Sequence, residues 1–360
     1  MEQARITYGD KMKNHADPLV SIIILNYNAG QLLFNCVESL LKTRYQSYEI
    51  IVVDNASSDG SHKKCKELFP QINLIENADN LGYCEGNNVG IRAAKGDFLV
   101  ILNPDTTVDQ DWLAELVVAH DKHGEGLYQP KILSLYEKEI LQSTGNMLHI
   151  FGFGFARDKG NRNDAKTSEV QQIGYASGTC LFIAHSTMKR IGFFDPFLFL
   201  YHDDLDLGWR GAQLGIRSYY VPSSVIYHAE SYNLKWSARK FFWLERNRRY
   251  CLLTHYSKDT YKKMRFSLAV IEILVWIFYL KKGFLGAKIR AEIDIRKNKK
   301  HIDGKYTELE SRKLVADKEL VKQFPDEIFV PNNVSGEYGS KTFNIILSKM
   351  SKKVKRALQN

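Results

Sequence analysis

Five aspartates and one histidine stand where their types and spacing could do chemistry. Asp54 closes the apolar run Tyr48–Asp54 (YEIIVVD) and opens VDNASSDGS, while Asp105 follows the run 97–103 (DFLVILN) in LNPDTTV. A single Asp in such a place is as often a helix N-cap or an Asx-turn as a functional acid. Asp203, Asp204 and Asp206 crowd into four positions of FLYHDDLDLGWR, at the start of an expected helix over 204–214. Carboxylates this close repel unless they cap a helix, bind a cation or hold a proton, and capping accounts for one or two of the three. His228 ends another short apolar segment in VIYHAES and could ligate a metal, although a lone histidine is more often structural.

The elements that must position these groups are legible from hydrophobic pattern. Val20–Asn26 (VSIIILN), 48–54 and 97–103 are continuous apolar runs, as expected of strands buried on both faces. Amphipathic stretches at 30–43, 58–68 and 84–95 alternate with them, and the order βαβαβαβ predicts a parallel, doubly wound sheet. Ligands of such sheets bind outside the carboxyl ends of the strands, where Asp54 and Asp105 fall. From 125 to 235 the pattern becomes a mixed extension of the same sheet, and from 236 it is helical, with a surface helix expected over 310–324. The organisation expected is a polar extension at 1–18 and a catalytic domain at 19–255. That domain divides into a nucleotide half at 19–125 and an acceptor half at 126–255. A helical basic region follows at 256–360.

The 360 residues carry a formal charge of +9, with 44% apolar and 25% charged residues, which excludes a disordered chain. Five widely spaced cysteines without a CxxC indicate neither a disulfide framework nor a zinc site. The first eighteen residues lack an apolar core before a cleavage site, so a cytoplasmic location is expected. Basic charge gathers late, with eight Lys or Arg in 281–300 and six in 341–360. The stretch Phe266–Leu280 is apolar but only fifteen residues long and contains Glu272, too short to span a bilayer, so it is expected either at a membrane interface or buried. At the C-terminus Phe343, Ile346, Leu347, Met350, Val354, Ala357 and Leu358 share one helical face, with lysines around the others. Such a helix predicts peripheral binding to the anionic inner face of the plasma membrane. No nucleic-acid partner is expected, and a homo-oligomer is left open.

The ordered set VSIIILNYN, VDNASSDGS, NLGYCEGNNVGI, LNPDT, SGTCLFI, IGFFDPFLFLYHDDLDLGWR and a late YH resembles the family 2 glycosyltransferases over about residues 18–255, most closely their rhamnosyltransferase-like branch. The resemblance implies a GT-A fold, α/β with a mostly parallel, Rossmann-like central sheet flanked by helices, here with a helical basic extension. It also implies a divalent cation, Mg²⁺ or Mn²⁺, and an inverting displacement on a nucleotide diphosphate sugar. Asp105 matches the last acid of the family's DxD motif. That motif reads Asn103-Pro104-Asp105 here, so metal binding should lean on Asp105, the diphosphate and His228. Asp204 matches the acid of the family's ED motif and is the expected base; Asp203 replaces the usual Glu and would orient the acceptor. Asp206 faces Arg210 at i,i+4 and would fix the helix, with Gly178 of SGTCLFI as further support on the acceptor side. For the nucleotide the resemblance points to Leu25, Tyr27 as a stacking ring, Asp54 as acceptor of a pyrimidine imide N–H, and Asn80, Gly82, Asn88 and Asn103. The glycine would permit close approach of the nucleotide.

The expected reaction moves a sugar, rhamnose first, from a dTDP- or UDP-sugar to a glycan or lipid-linked acceptor in cell-surface polysaccharide synthesis. UDP-galactofuranose and UDP-N-acetylhexosamine are alternative donors, and a non-catalytic nucleotide-sugar-binding protein is the rival class. A dinucleotide oxidoreductase is disfavoured because NYNAGQ, not G-x-G-x-x-G, follows the first strand. A nucleotidyltransferase would need a Gly-rich basic loop there, and none is present.

Overall fold

The computed structural model describes residues 17–164, 168–230, 237–329 and 332–359, with only the helical backbone given for 332–340. Most of the expected N-terminal extension lies outside these residues. The chain begins with β1 (Val20–Asn26), α1 (Gln31–Leu40), β2 (Tyr48–Asp54), α2 (Ser61–Leu68), β3 (Asn73–Glu76), α3 (Gly82–Ala93), β4 (Phe98–Leu102), β5 (Thr106–Val108) and α4 (Trp112–His123). Next come β6 (Gly126–Ser134), β7 (Leu141–Ser143), β8 (Asn146–Leu148), β9 (Gly154–Ala156), β10 (Gln171–Ile173), β11 (Cys180–Ala184), α5 (His185–Ile191), α6 (Asp203–Gln213) and β12 (Arg217–His228). The rest is helical: α7 (Ala238–His255), α8 (Lys258–Lys281), α9 (Leu285–Lys297), α10 (Lys299–Arg312), α11 (Asp317–Gln323) and α12 (Asn332–Gln359). The βαβαβαβ order is as the sequence predicts. The helix expected over 310–324 is instead two helices, because the chain breaks at 313–316 between α10 and α11.

The main sheet has the order β10-β12-β6-β11-β4-β1-β2-β3, with β5 against β12 and β7 against β6. β3, β2, β1 and β4 pair in parallel, as do β6 and β12, while β11 runs antiparallel between β4 and β6. Alternate residues of the apolar strands feed two separate cores, which explains why the runs are continuous. Ile22, Ile24, Val52, Val100 and Leu102 pack with α1 and α4 on one face. Ile23, Leu25, Ile51, Val53, Leu99 and Ile101 pack on the other with α3 and α6.

That second core continues without a break into Leu252, Leu268, Ile271, Val275, Leu347 and Val354, so the C-terminal helices are built onto the main sheet. The amphipathic C-terminal helix is present, yet Leu347, Ser351, Val354 and Leu358 are buried and α12 packs along α8. The apolar face expected to meet a membrane is therefore used inside the protein. α8 is two-sided: Met264, Leu268, Ile271, Val275 and Tyr279 are buried, whereas Phe266, Ile273, Ile277 and Leu280 are 42–63% exposed. Glu272 points inward with Glu245 and Glu292 around the fully buried Lys288, and Arg248 shares Glu245 and Glu272. Burial alone would raise the Glu272 carboxyl, but Arg248, Arg249 and Lys288 hold it down at about 2. No helix among the described residues is long and apolar enough to cross a membrane. All five cysteines are free and buried.

Candidate active site

Asp54, Asp105 and His228 all lie at one edge of the sheet, because β2, β4 and β12 end there. Register decides which of them meet. β5 returns antiparallel along β12 with Thr106 opposite His228, so the residue before Thr106 lands beside the imidazole. Asp105 Oδ1 is 3.3 Å from His228 Nε2, and both residues are buried. The far side of the ring is gripped by a residue the sequence reading missed. His228 Nδ1 sits 2.6 Å from Gln142 Oε1, and Gln142 Nε2 donates to the His228 carbonyl at 2.8 Å. Since a carbonyl only accepts, the amide orientation of Gln142 is fixed, and its oxygen must take the proton of Nδ1. In the neutral ring Nε2 is then a lone pair aimed at a carboxylate, and it has no hydrogen-bond partner among the described residues. Two facing acceptors in a buried place fit a shared cation: the sequence-expected ligands Asp105 and His228 are brought together as one donor set.

The acid pair is joined to this edge through the loop before β11. Cys180 pairs with Leu102, and the Asn103 N–H donates to the Thr179 carbonyl at 3.0 Å. One residue earlier, the Gly178 N–H donates to Asp204 Oδ2 at 3.1 Å, and the Gly178 carbonyl accepts from Tyr83 Oη at 2.7 Å. A Cβ on Gly178 would lie 2.9 Å from Tyr83 Oη and 3.3 Å from Asp203 Oδ2, so this glycine lets the acids close on the loop. Asp204 also accepts from the Leu205 N–H at the helix start. Burial raises both carboxyls, Asp203 well above its ordinary range with help from the neighbouring Asp204 charge. Asp206 is the opposite case. Burial would raise it, but the Arg210 guanidinium at 2.8 Å and His255 hold it well below the usual range. Arg210 further donates to the carbonyls of Ile191, Gly192 and Phe193, so this pair fixes the helix, as expected from its spacing.

The turn before α6 is strained. Phe199, Tyr201 and His202 all have φ between 61° and 68°, unusual for residues with side chains. It is held from α7, where Asn247 Nδ2 donates to the carbonyls of Leu198, Leu200 and Tyr201 and Arg246 Nη2 to those of Phe197 and Leu198. From the other side the Tyr83 N–H donates to the Phe199 carbonyl at 2.6 Å. Arg246 and Asn247 were not singled out from sequence; the available signal was an Arg-Asn pair inside a helix, where Asn is a poor helix former.

Several expected nucleotide contacts have other occupations. Asp54 is 2% exposed, with its oxygens accepting from Asn26 Nδ2 and the Ser57 N–H and lying 3.3 Å from His62, so its carboxylate ties the ends of β1 and β2 to the following loop. Asn88 is buried, donating to Glu85 and the Phe194 carbonyl and accepting from the Phe194 N–H. Leu25 packs its side chain on Gly86 in the core. Gly82, with φ +77°, admits the Phe199 ring and carbonyl, which a Cβ would meet at 2.5–2.8 Å; the close approach is the protein's own. Asn80 accepts from Asn55 and from the Gly82 N–H, organising the α3 start. Tyr27 is half exposed and free to stack, and Asn103 lines the edge next to Asp105.

Comparisons with known proteins agree with this architecture. The chain is 26% identical over 204 residues to the low-salt glycan biosynthesis hexosyltransferase Agl10 of Haloferax volcanii, covering 55% of this chain and 62% of that protein. It is 24% identical over 237 residues to the N-acetylglucosaminyl-diphospho-decaprenol L-rhamnosyltransferase of Mycobacterium tuberculosis, covering 60% and 77%. Among solved structures, GalNAc-T7 with UDP, GalNAc and Mn²⁺ superposes with a TM-score of 0.57 at 19% identity, over 70% of this chain and 51% of that one, which establishes likeness of fold. Residues 21–192 match the family model of glycosyl transferase family 2. With the doubly wound sheet, the edge that gathers Asp105 and the motif order all in agreement with that match, residues 21–192 of the chain form a glycosyl transferase family 2 segment.

Proposed function

We propose that the protein transfers a sugar, with inversion, from a pyrimidine nucleoside diphosphate to a hydroxyl of a glycan or lipid-linked acceptor, with rhamnose on dTDP or UDP as the first donor to try. The observation that carries this reading is the facing of Asp105 and His228 at the strand ends, linked by the 177–179 loop to Asp204. Asp105 and His228 would hold Mg²⁺ or Mn²⁺, with the remaining positions left to diphosphate oxygens and water. Such a cation neutralises charge that grows on the leaving diphosphate. Tyr27 offers its ring to the base. Asp204, the more exposed of the acid pair, takes the proton from the acceptor hydroxyl as that oxygen bonds the anomeric carbon and the carbon–phosphate-oxygen bond breaks. Asp203, pushed toward its protonated form, donates to the acceptor and orients it.

Peripheral membrane binding remains part of the proposal, relocated by the packing. The exposed stripe Phe266, Ile273, Ile277 and Leu280 on α8 follows one helical face and ends in Lys281 and Lys282, with Lys353 Nζ 4.2 Å over the Phe266 ring. The transferase reading is tested with a panel of nucleotide sugars and Mn²⁺ or Mg²⁺, scored for slow hydrolysis and for protection against thermal unfolding. Absence of any response to every pyrimidine donor would sink it.

A further inference from the structure

We infer a second anion site beside the acid pair, built from Arg239, Arg290 and Trp243, which takes the diphosphate of a lipid-linked acceptor; the inference rests on the transferase reading. A cleft of about 330 Å³ between the start of α7 and α9 is lined by Arg239, Phe242, Trp243 and Arg290. The cationic residues around it divide sharply. Arg246, Arg248, Arg249 and Lys288, deeper on the same helices, all have acidic partners. Arg239 and Arg290, at the cleft, are exposed and enter no ion pair among the described residues; Arg290 only touches the Gly286 carbonyl of its own helix at 3.3 Å. The buried indole N–H of Trp243 likewise has no acceptor among the described residues.

The place of this cleft matters as much as its charge. The Trp243 ring stacks on Phe199 with centroids 5.0 Å apart and 17° between planes, and Phe199 belongs to the strained turn that leads into Asp203 and Asp204. The cleft therefore borders the acid pair on the α7 side, while the donor's diphosphate belongs at the Asp105 edge of the sheet. Two guanidinium forks form a donor-only set, suited to the many oxygens of a diphosphate, and guanidinium matches phosphate oxygens bidentately. Phe242 and the rim of Trp243 supply an apolar wall for the first units of an attached hydrocarbon chain.

The test uses the full-length protein with the donor site filled by saturating UDP and Mg²⁺. Farnesyl diphosphate, inorganic diphosphate and farnesol are titrated by calorimetry and tryptophan fluorescence. Farnesyl diphosphate should bind, inorganic diphosphate more weakly, and farnesol not at all. Arg239→Gln and Arg290→Gln should each weaken farnesyl diphosphate about tenfold and together about a hundredfold, the scale of a charge-assisted contact each. Acceptor-free hydrolysis of the donor should not change in either variant. Equal binding of inorganic and farnesyl diphosphate, both lost in the double variant, would mark a free-phosphate site and overturn the acceptor assignment. Unaltered binding in the double variant, or no binding of any probe, would overturn the site itself. Donor hydrolysis that persists alongside such a result would leave the transferase reading standing.

Discussion

Replacing Gln142 by Leu removes the group that fixes the tautomer of His228 without touching either proposed metal ligand. The wild-type amide makes two contacts, accepting from Nδ1–H at 2.6 Å and donating to the His228 carbonyl at 2.8 Å. Leucine can do neither, so the ring is free to rotate or to carry its proton on Nε2, where it would bond Asp105 and oppose a cation. Loss of such a supporting partner costs about 10–100-fold in metal affinity, or about 1.4–2.8 kcal/mol. Calorimetric titration of Mn²⁺ in the presence of UDP reads this directly, and the metal dependence of donor hydrolysis gives a second measure. The rate at saturating metal should stay near wild type, because the acid pair is untouched. Gln142→Glu keeps an acceptor for Nδ1 and should recover most of the affinity. Wild-type Mn²⁺ affinity in Gln142→Leu, or in His228→Ala, would refute the reasoning.

Asp204→Asn should lower transfer by about 10²–10⁴-fold while leaving donor binding nearly intact, as expected for a lost general base; normal turnover would mean the base lies elsewhere. Since burial raises the Asp204 carboxyl and a base must be ionised to act in the proposed role, wild-type turnover should fall with decreasing pH at values above the ordinary carboxylate range, read from a pH profile at saturating donor. Glu272 should govern acid stability. Its folded carboxyl titrates at about 2 against an ordinary 4.5, so its contribution is complete above about 4.5 and is lost as pH falls towards 2. The amount is on the order of 3 kcal/mol, and urea unfolding at stepped pH should show that limb flattened in Glu272→Gln. Serine at Ile273, Ile277 and Leu280 together should abolish sedimentation with anionic vesicles without lowering the melting temperature. Removal of residues from Lys341 onward should instead destabilise the fold, since Leu347 and Val354 sit in the core.

The strands and the first three helices were legible because burial on both faces leaves a continuous apolar run, and such runs depend on local sequence alone. The pairing of Asp105 with His228 was legible through the family's motif order. What was not legible is long-range satisfaction of polar groups. Gln142 meets His228 across 86 residues, and Asn247 reaches the 198–201 carbonyls across 46–49, with nothing local to announce either. The internal partners of Asp54 and Asn88 were hidden for the same reason, since a polar residue at a strand end or in a helix has one sequence signature whether its partner is a ligand or a neighbouring loop. Helical periodicity in α12 likewise revealed an apolar face correctly and said nothing of what covers it, which is α8.

The strained turn at 199–202 has a consequence for the order in which the chain assembles during synthesis. Its backbone is held in place by Arg246 and Asn247, side chains translated more than forty residues after the turn itself. When the first half of the sheet and the turn itself have emerged and can begin to pack, Asp203 and Asp204 exist in the chain without the clamp that holds the turn before them. On the proposed function, a nascent chain would thus gain a place for the donor well before it could use one, and transfer would wait until the far helix has docked.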